Sequence, residues 1–276
     1  KIYGIENPGY PKIAKIYDSM HVSYSAIDLD KHGVCIDSLE NHQIDIMHLS
    51  PSHHFPTGII TPISRRYELL GWASKDENRY IIEDDYDSEL RLGGKPIPTL
   101  QSIDISDKVI YMNTFTKTLS STVRISYMVL PASLTELFYK NLSFYSCTVS
   151  NFEQYTLARF MESGSFEKHI NRLRNYYQNK RDAILEIFKT APLDQYITIK
   201  EDSGVHFMMK LKTERTEMDM MSDSKSKGIK LAPLSKYFVG QTSNVNFQNV
   251  YVMNYSSIDL EQLPLIFDAL CHILMN

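Results

Sequence analysis

Short apolar segments alternate with segments of helical spacing through the first half of the chain. Five apolar runs are predicted to be β-strands: Val22–Ile27, Ile44–Leu49, Tyr80–Ile82, Val109–Asn113 and Ile125–Leu130. Between them, apolar residues recur every three or four positions over Ile63–Ser74, which indicates a helix. Strands that alternate with helices are typical of βαβ units, so the pattern predicts an α/β fold.

The segment after the last of these strands is almost wholly helical. Pro131 ends the strand, and Ser133 is expected to be the N-cap of the helix that follows. Asn151–Met161 also has helical spacing, Gly164 interrupts it, and a more highly charged helix continues to about Phe188. These helices are expected to bridge two parts of the molecule.

The pattern changes again after residue 192. Val205–Leu211 and Val250–Asn254 have the character of strands, whereas Glu214–Lys227 and Leu260–Met275 have that of helices. We therefore expect three parts: a large mixed-sheet domain with helices on both faces over residues 1–150, bridging helices over 151–190, and a small C-terminal α+β domain over 191–276.

Composition and charge narrow the possible functions. The 276 residues are 43% hydrophobic and 22% charged, as in ordinary globular proteins. A net charge of −4 gives no electrostatic reason to expect nucleic-acid binding by this segment. No apolar run approaches the roughly 20 residues of a membrane span, and the start of the chain has no signal-peptide pattern. Three widely separated cysteines fit reduced thiols of a cytoplasmic protein, and the histidines show no metal-ligand spacing.

Two of the predicted strands end in polar clusters that could share one pocket. Asp84 follows the strand at Tyr80–Ile82, and Lys117 follows the strand at Val109–Asn113. The carboxyl ends of parallel strands meet at one edge of a sheet, where α/β proteins bind ligands. Pyridoxal 5′-phosphate (PLP) requires an amine for a Schiff base and a carboxylate against its pyridine nitrogen. A solvated loop lysine and a solvated acidic strand end remain the alternative interpretations of the two segments.

Other polar and aromatic groups nearby suit the same cofactor. Tyr86 could hydrogen-bond the ring oxygen, and the hydroxyls of Thr114 and Thr116 could bind the phosphate together with the guanidinium of Arg124. An aromatic residue after the Pro/Gly turn at Asn7–Gly9 is a suitable stacking surface. The turn Pro51–Gly58 holds two imidazoles, for which a structural and a functional role are equally plausible.

Six segments resemble the aminotransferase-like domain of MocR-type regulators, a branch of the GntR transcription factors. These are ENPGYP (6–11), SPSHHFPTG (50–58), IIEDDYDSELR (81–91), PIPTLQSID (96–104), FTKTLSSTVRISYMVLP (115–131) and SGVHFMMKL (203–211). The resemblance runs from Glu6 to about Tyr255. It implies a fold-type I PLP-dependent aminotransferase-like fold, a homodimer, and contact with DNA only through an N-terminal winged helix-turn-helix that this chain does not contain.

The resemblance also assigns roles to individual residues. It implies that Lys117 forms the internal aldimine, Asp84 contacts the pyridine nitrogen and Tyr86 donates to the ring oxygen. The remaining implied roles are stacking by Tyr10, phosphate binding by Thr114 and Arg124, a place close to the ring for His53, and contact with the carboxylate of an amino-acid effector for Lys12.

The sequence departs from the resembled domain at two places. The first part of the aminotransferase domain, with its own phosphate-contacting turn, is missing. Val252 or a close neighbour stands where many relatives carry an arginine for a substrate carboxylate.

We therefore expect an effector-binding and oligomerisation domain of a PLP-dependent regulator, which senses PLP or an amino compound. An active PLP-dependent aminotransferase is the alternative, and a degenerate domain that serves only for dimerisation is a third.

Overall fold

The computed structural model describes residues 1–92, 97–200, 204–240 and 247–275. Pro96 and Ser203, which begin two of the motif segments quoted above, lie outside these ranges. The strands are β1 (Tyr3–Asn7), β2 (Tyr24–Asp30), β3 (Gly33–Val34), β4 (Ile46–Leu49), β5 (Tyr80–Asp85), β6 (Val109–Thr114), β7 (Ser126–Val129), β8 (Ile197–Lys200), β9 (His206–Leu211) and β10 (Val250–Asn254). The helices are α1 (Pro11–Ser19), α2 (Ile36–Asn41), α3 (Ile63–Ser74), α4 (Leu100–Ile103), α5 (Ala132–Leu142), α6 (Asn151–Glu162), α7 (Ser165–Phe188), α8 (Leu193–Tyr196), α9 (Glu217–Ser226) and α10 (Leu263–Met275).

The larger sheet has seven strands in the order β3-β2-β1-β4-β5-β6-β7. The five central strands are parallel, and β3 and β7 pair antiparallel at the two edges. Apolar residues of the central strands pack with α3, whose Trp72 and Leu69 are fully buried, and with Leu39 of α2. The α/β prediction is therefore confirmed, and the carboxyl ends of β1, β4, β5 and β6 lie along one edge.

The N-terminal strand is a central strand that the apolar pattern did not predict. β1 pairs with both β2 and β4, although Gly4 lies inside it. A Cβ on Gly4 would approach the Met47 sulfur to 2.7 Å, so neighbouring core side chains occupy the space that a larger residue would need. Glycine weakens a strand signal in sequence, which explains why the strand was missed.

The predicted N-cap of α5 is wrong. The helix begins at Ala132, directly after Pro131, rather than after Ser133. The carboxylate of Asp107 accepts hydrogen bonds from the backbone nitrogens of Ala132 and Ser133, each at 2.7 Å. A side chain distant in sequence therefore satisfies the first N–H groups that a local cap would otherwise bind.

A second, antiparallel sheet of three strands in the order β10-β9-β8 lies in the C-terminal part. Its buried face packs against α10 and the second half of α7 around Phe207, Met209 and Leu270. The interruption predicted at Gly164 is confirmed, since this residue has a φ of 69° between α6 and α7. Within the described residues, no helix combines the length and apolar character that crossing a bilayer would require.

The part of the chain from β7 to α6 exposes many large apolar side chains. All four residues of β7 are exposed, and so are aromatic residues of α6 and of the segment between α5 and α6. We call these residues together the apolar face; they include Tyr127, Met128, Val129, Leu137, Tyr139, Phe144, Tyr145, Phe152 and Tyr155. Phe152 is 81% exposed, which is unusual for a side chain of this size.

Candidate functional site

The carboxylates at the end of β5 are of two kinds, buried ones with a structural role and one that is accessible from the cavity. Alternation along the strand buries Glu83 and Asp85, whereas Asp84 points to the opposite face and keeps 28% of its side chain exposed. Glu83 accepts hydrogen bonds from the backbone nitrogens of Leu100 and Gln101 and pairs with the Arg66 guanidinium at 3.4 Å. The buried carboxylates therefore anchor the β5 end (residues 83–87), and Asp84 remains available to a ligand.

A cavity of about 380 Å³ lies at this edge of the sheet. It brings together the ends of β5 and β6, the N-terminal turn of α1 and the start of β9. The described residues that line it are Tyr10, Ser50, Phe55, Asp84, Tyr86, Thr114, Thr116, Lys117, Val205, His206 and Asn254. Six of the residues predicted from sequence thus share one cavity.

Lys117 lies in the β6–β7 loop (residues 115–125), where its side chain is exposed. The loop is closed by a hydrogen bond from the Phe115 nitrogen to the Ile125 carbonyl at 3.0 Å. His169 of α7 hydrogen-bonds the Thr118 carbonyl at 2.8 Å. At the base of the loop, the hydroxyls of Thr114 and Thr116 are 2.8 Å apart and hydrogen-bond each other, and the Thr114 hydroxyl also lies 3.3 Å from the Ile125 carbonyl.

Arg124 is placed differently from the other predicted phosphate ligands. Its side chain is exposed, and it is not among the described residues that line the cavity. It does lie on the same loop as Lys117.

Tyr86 and His53 are joined to each other. The Tyr86 hydroxyl donates to the main-chain carbonyl of His53 at 2.9 Å, and burial raises the pKa of this phenol well above its usual value. Nδ1 of His53 is 2.9 Å from Oδ2 of Asp87. His53 is not among the described lining residues and lies behind Tyr86, so it can orient the phenol rather than contact a ligand in the cavity.

Gly204 explains how His53 is kept in place. This glycine has a φ of 77°, and a Cβ at this position would lie 2.0 Å from the Cε1 atom of the His53 ring. The imidazole therefore packs directly on the backbone of the segment before β9. Only glycine meets both the conformational and the steric requirement here.

Tyr10 is the residue before α1, and 43% of its surface is exposed. It forms an edge-to-face contact with Phe55, with ring centroids 5.8 Å apart. The ammonium of Lys12 lies 5.9 Å from the centroid of the Tyr10 ring. Lys12 itself is exposed and is not among the described lining residues, so its contact with the cavity is through Tyr10.

Burial keeps two groups beside the cavity uncharged. It raises the pKa of Glu6 to about 8, and the nearby charge of Asp84 acts in the same direction. Burial also lowers the pKa of His54 to about 3. Nε2 of His54 is 3.5 Å from Oε2 of Glu6, which also accepts a hydrogen bond from the Ser50 nitrogen at 2.9 Å.

The sequence assigned no role to three polar residues of the cavity wall, which are Ser50, His206 and Asn254. His206 and Asn254 lie on β9 and β10, where they are paired across the antiparallel ladder. Burial, together with His53, His54 and Lys117, holds the pKa of His206 well below its ordinary value, so the imidazole is neutral. His206 falls in one of the motif segments, which was the only sequence signal for it.

Val252 is not among the described residues that line the cavity. It is buried in an apolar cluster with Leu234 and Val250, against which Phe55 of the cavity wall packs, and Asn254, two residues further along the same face of β10, lines the cavity. Among the described residues that line the cavity, none is an arginine.

The donor set fits a phosphorylated pyridine aldehyde. One amine, one accessible carboxylate, a phenol and two convergent hydroxyls surround a space of suitable size. Within the described residues, no three His, Cys, Asp or Glu side chains come together in a way that could hold a metal ion.

Comparison with known proteins gives a consistent result. Residues 6–251 match the family described as "Aminotransferase class I and II", which uses PLP. The chain is 39% identical over 233 residues to the uncharacterized HTH-type transcriptional regulator YdeL of Bacillus subtilis, covering 84% of this chain and 50% of that protein. It is 27% identical over 260 residues to the HTH-type pyridoxine biosynthesis transcriptional regulator PdxR of Corynebacterium glutamicum, covering 94% of this chain and 55% of that protein.

Solved structures share the fold. The kynurenine aminotransferase of Pyrococcus horikoshii superimposes with a TM-score of 0.81 at 24% identity, over 100% of this chain and 69% of that chain. The chain spans about half the length of the curated regulators it matches.

Proposed function

The chain belongs to the aminotransferase class I and II family, and we propose that it is the effector-binding domain of a transcription regulator that holds PLP on Lys117. The similarity to HTH-type regulators supports the regulatory role. We propose that DNA binding resides in a part of the regulator outside these 276 residues, since the chain spans about half of such proteins.

The observation that carries this proposal is the grouping of Lys117, Asp84 and Tyr86 around one cavity. When bound, PLP supplies an aldehyde that condenses with amines and a ring that withdraws electrons once its nitrogen is protonated. Asp84 would hold the proton on that nitrogen. Tyr86 would turn its hydroxyl from the His53 carbonyl to the ring oxygen, with His53 behind it.

The other cavity residues would bind the remaining parts of the cofactor. Thr114 and Thr116 would turn their hydroxyls from each other towards a phosphate, and Arg124 on the same loop would add a bidentate cation. Tyr10 would cover one face of the ring, with its edge held by Phe55. Lys12, beside Tyr10, would face a carboxylate on an amino-acid effector.

A sensor also requires two conformations with different ligand affinities. We propose that the small C-terminal domain (residues 191–276) closes on the large domain (residues 1–150). Besides the packing of His53 on Gly204, two hydrogen bonds join these parts: the Gly9 nitrogen donates to the Tyr237 carbonyl and the Val239 nitrogen to the Asn7 side chain, both at 2.9 Å. Ligand-dependent protection of these amides from hydrogen exchange would test the closure.

We further propose that the regulator is a homodimer. The apolar face exposes large apolar side chains from several consecutive elements, and a second copy is its proposed occupant. Sedimentation of the chain should give a dimer, and substitution of Phe152 by Glu should shift it to a monomer. A wild-type chain that sediments as a monomer at all concentrations would contradict this proposal.

Titration with PLP tests the function as a whole. The wild-type chain should develop a visible absorption band that survives gel filtration. The band should disappear when hydroxylamine is added, because hydroxylamine displaces the lysine from its imine with PLP. Lys117→Ala should develop no band, because it lacks the amine. Lys225→Ala, which removes an exposed lysine of α9, is the matched control and should behave as wild type.

An active aminotransferase is the second candidate, because the chain shares its fold with solved aminotransferases. Amino acids added to the PLP-loaded chain distinguish the two. A sensor changes its spectrum reversibly, whereas an aminotransferase converts the cofactor fully to its aminated form. A wild-type chain with no retained PLP would contradict both.

A further inference from the structure

Asp84 has an imidazole directly beside it on the sheet. His48 lies on β4, which pairs in parallel with β5 so that His48 is opposite Ile82. Because side chains alternate along a strand, Asp84 lies on the same face as Ile82 and is the diagonal neighbour of His48. Nε2 of His48 is 3.6 Å from Oδ2 of Asp84, within the range of a direct electrostatic contact.

The other ring nitrogen of His48 is also occupied. The hydroxyl of Tyr17, on α1, is 2.9 Å from Nδ1 of His48. Tyr17 is fixed in turn by ring contacts with Tyr3 at 4.9 Å and Tyr24 at 6.1 Å. Three side chains thus form a row of contacts, Tyr17–His48–Asp84, that runs from helix α1 to the cavity.

The charge of Asp84 favours one arrangement of the hydrogen-bond donors in this row of contacts. If the Tyr17 hydroxyl donates to Nδ1, neutral His48 carries its proton on Nε2 and presents it to the Asp84 carboxylate. The reverse arrangement would set the lone pair of Nε2 against that carboxylate. Burial raises the pKa of Tyr17, so the phenol keeps the proton that it must donate. Nε2 of His48 has no hydrogen-bond partner among the described residues, and the Asp84 carboxylate lies 3.6 Å from it.

The other carboxylates of the β5 end have partners of their own. Glu83 and Asp85 alternate to the opposite face of the strand, and Asp87 is paired with His53. His48 is the imidazole that the structure places beside the Asp84 carboxylate, so it can hold that carboxylate in a fixed direction towards the cavity.

We propose that His48 and Tyr17 are positioning residues that hold the Asp84 carboxylate in place and aim its second oxygen at the cofactor nitrogen. The proposal rests on the proposed function, since it concerns how the chain would hold PLP. Neither residue touches the cavity: both are absent from its described lining.

Ring-¹⁵N-labelled PLP provides a direct readout. In the wild-type chain, the ¹⁵N chemical shift should be that of a protonated pyridine. His48→Leu should move the shift towards the unprotonated value and weaken PLP binding about tenfold, or about 1.4 kcal/mol. His48→Gln should retain most of the wild-type shift, because its amide N–H can take the place of Nε2–H. Tyr17→Phe should lie between the two.

Controls separate this role from a merely structural one. His42→Leu removes an exposed histidine at the end of α2 and should leave affinity and shift unchanged. A weaker affinity in His48→Leu with an unchanged ¹⁵N shift would overturn the proposal, as would equal behaviour of His48→Leu and His48→Gln. A wild-type chain that fails to bind PLP would overturn the proposed function and, with it, this inference.

Discussion

The two sides of the cavity are built in different ways. At the β5 end, Asp84 and Tyr86 stand on a buried network that includes Glu83 and Arg66. Across the cavity, Lys117 and its neighbours belong to a solvated loop. The comparison teaches that recognition of the pyridine ring is preorganised, whereas the covalent and phosphate contacts depend more on the ligand that they bind.

The largest effect is expected from the network beneath the β5 end. Arg66→Ala leaves Glu83 buried without its cation and frees three main-chain carbonyls, of Thr61, Pro51 and Pro98. The free energy of unfolding, measured with urea, should fall by about 3–5 kcal/mol. Lys75→Ala, directly after the same helix, removes an exposed ion pair with Glu40 and should cost about 1 kcal/mol or less. If the free energy of unfolding fell equally in both variants, the buried network would be no more important for stability than a surface ion pair.

Asp84 tests the accessible part of the same side. Asp84→Asn keeps the size of the side chain but removes the charge that would pair with the pyridinium. PLP binding should weaken about 10- to 100-fold, the loss expected for a hydrogen bond to a charged group. Equilibrium dialysis of PLP gives the dissociation constant, and Asp37→Asn on α2 is the control. An unchanged constant would refute the assigned role.

The pH dependence of stability tests the uncharged pair beside Asp84. Glu6, with a folded pKa of about 8 against 4.5, holds a proton that the unfolded chain releases, so its contribution falls as pH rises through this window. His54, with a folded pKa of about 3 against 6.5, loses its contribution as pH falls from 6.5 to 3. The trends oppose each other between 4.5 and 6.5.

The free energy of unfolding should therefore decline from pH 6.5 to 8, because in this interval the contribution of Glu6 still changes and that of His54 no longer does. We expect the free energy of unfolding to fall by about 2 kcal/mol over this interval. Glu6→Gln should remove the decline, whereas Glu77→Gln, at an exposed position, should not. The same decline in Glu6→Gln and wild type would show that another group is responsible.

The smallest effect is expected at the base of the β6–β7 loop. Thr114→Val removes one of two paired hydroxyls, and Thr116 can still donate to a phosphate. PLP binding should weaken about 2- to 10-fold, as measured by the same dialysis. Thr156→Val, on the exposed surface of α6, should have no effect. A loss larger than that of Asp84→Asn would reverse the comparison between the two sides.

The features that sequence revealed are those that depend on local periodicity. Ile63–Ser74 was predicted with its observed bounds, and so was Val250–Asn254. Asp84 and Lys117 were placed at one pocket because each follows an apolar strand, and both line the same cavity.

What sequence missed depends on contacts between distant segments. β1 was not predicted because Gly4 weakens its strand pattern. The need for a glycine there follows only from the core side chains that pack against it. His48 lies beside Asp84 only because of the register between β4 and β5. His206 lies at the cavity because β9 packs against the turn that contains His53. The cap of α5 likewise comes from Asp107, 25 residues upstream of Ala132. No local pattern encodes such pairings.

The contact between Asn7 and Val239 also has a consequence for the synthesis of the protein. The two residues are 232 positions apart, so a ribosome that has made the first strand must continue for roughly 10–50 s before its partner exists. Closing so long a loop is entropically costly and slow. The contact between β1 and the C-terminal part is therefore among the last features of this segment to form during synthesis.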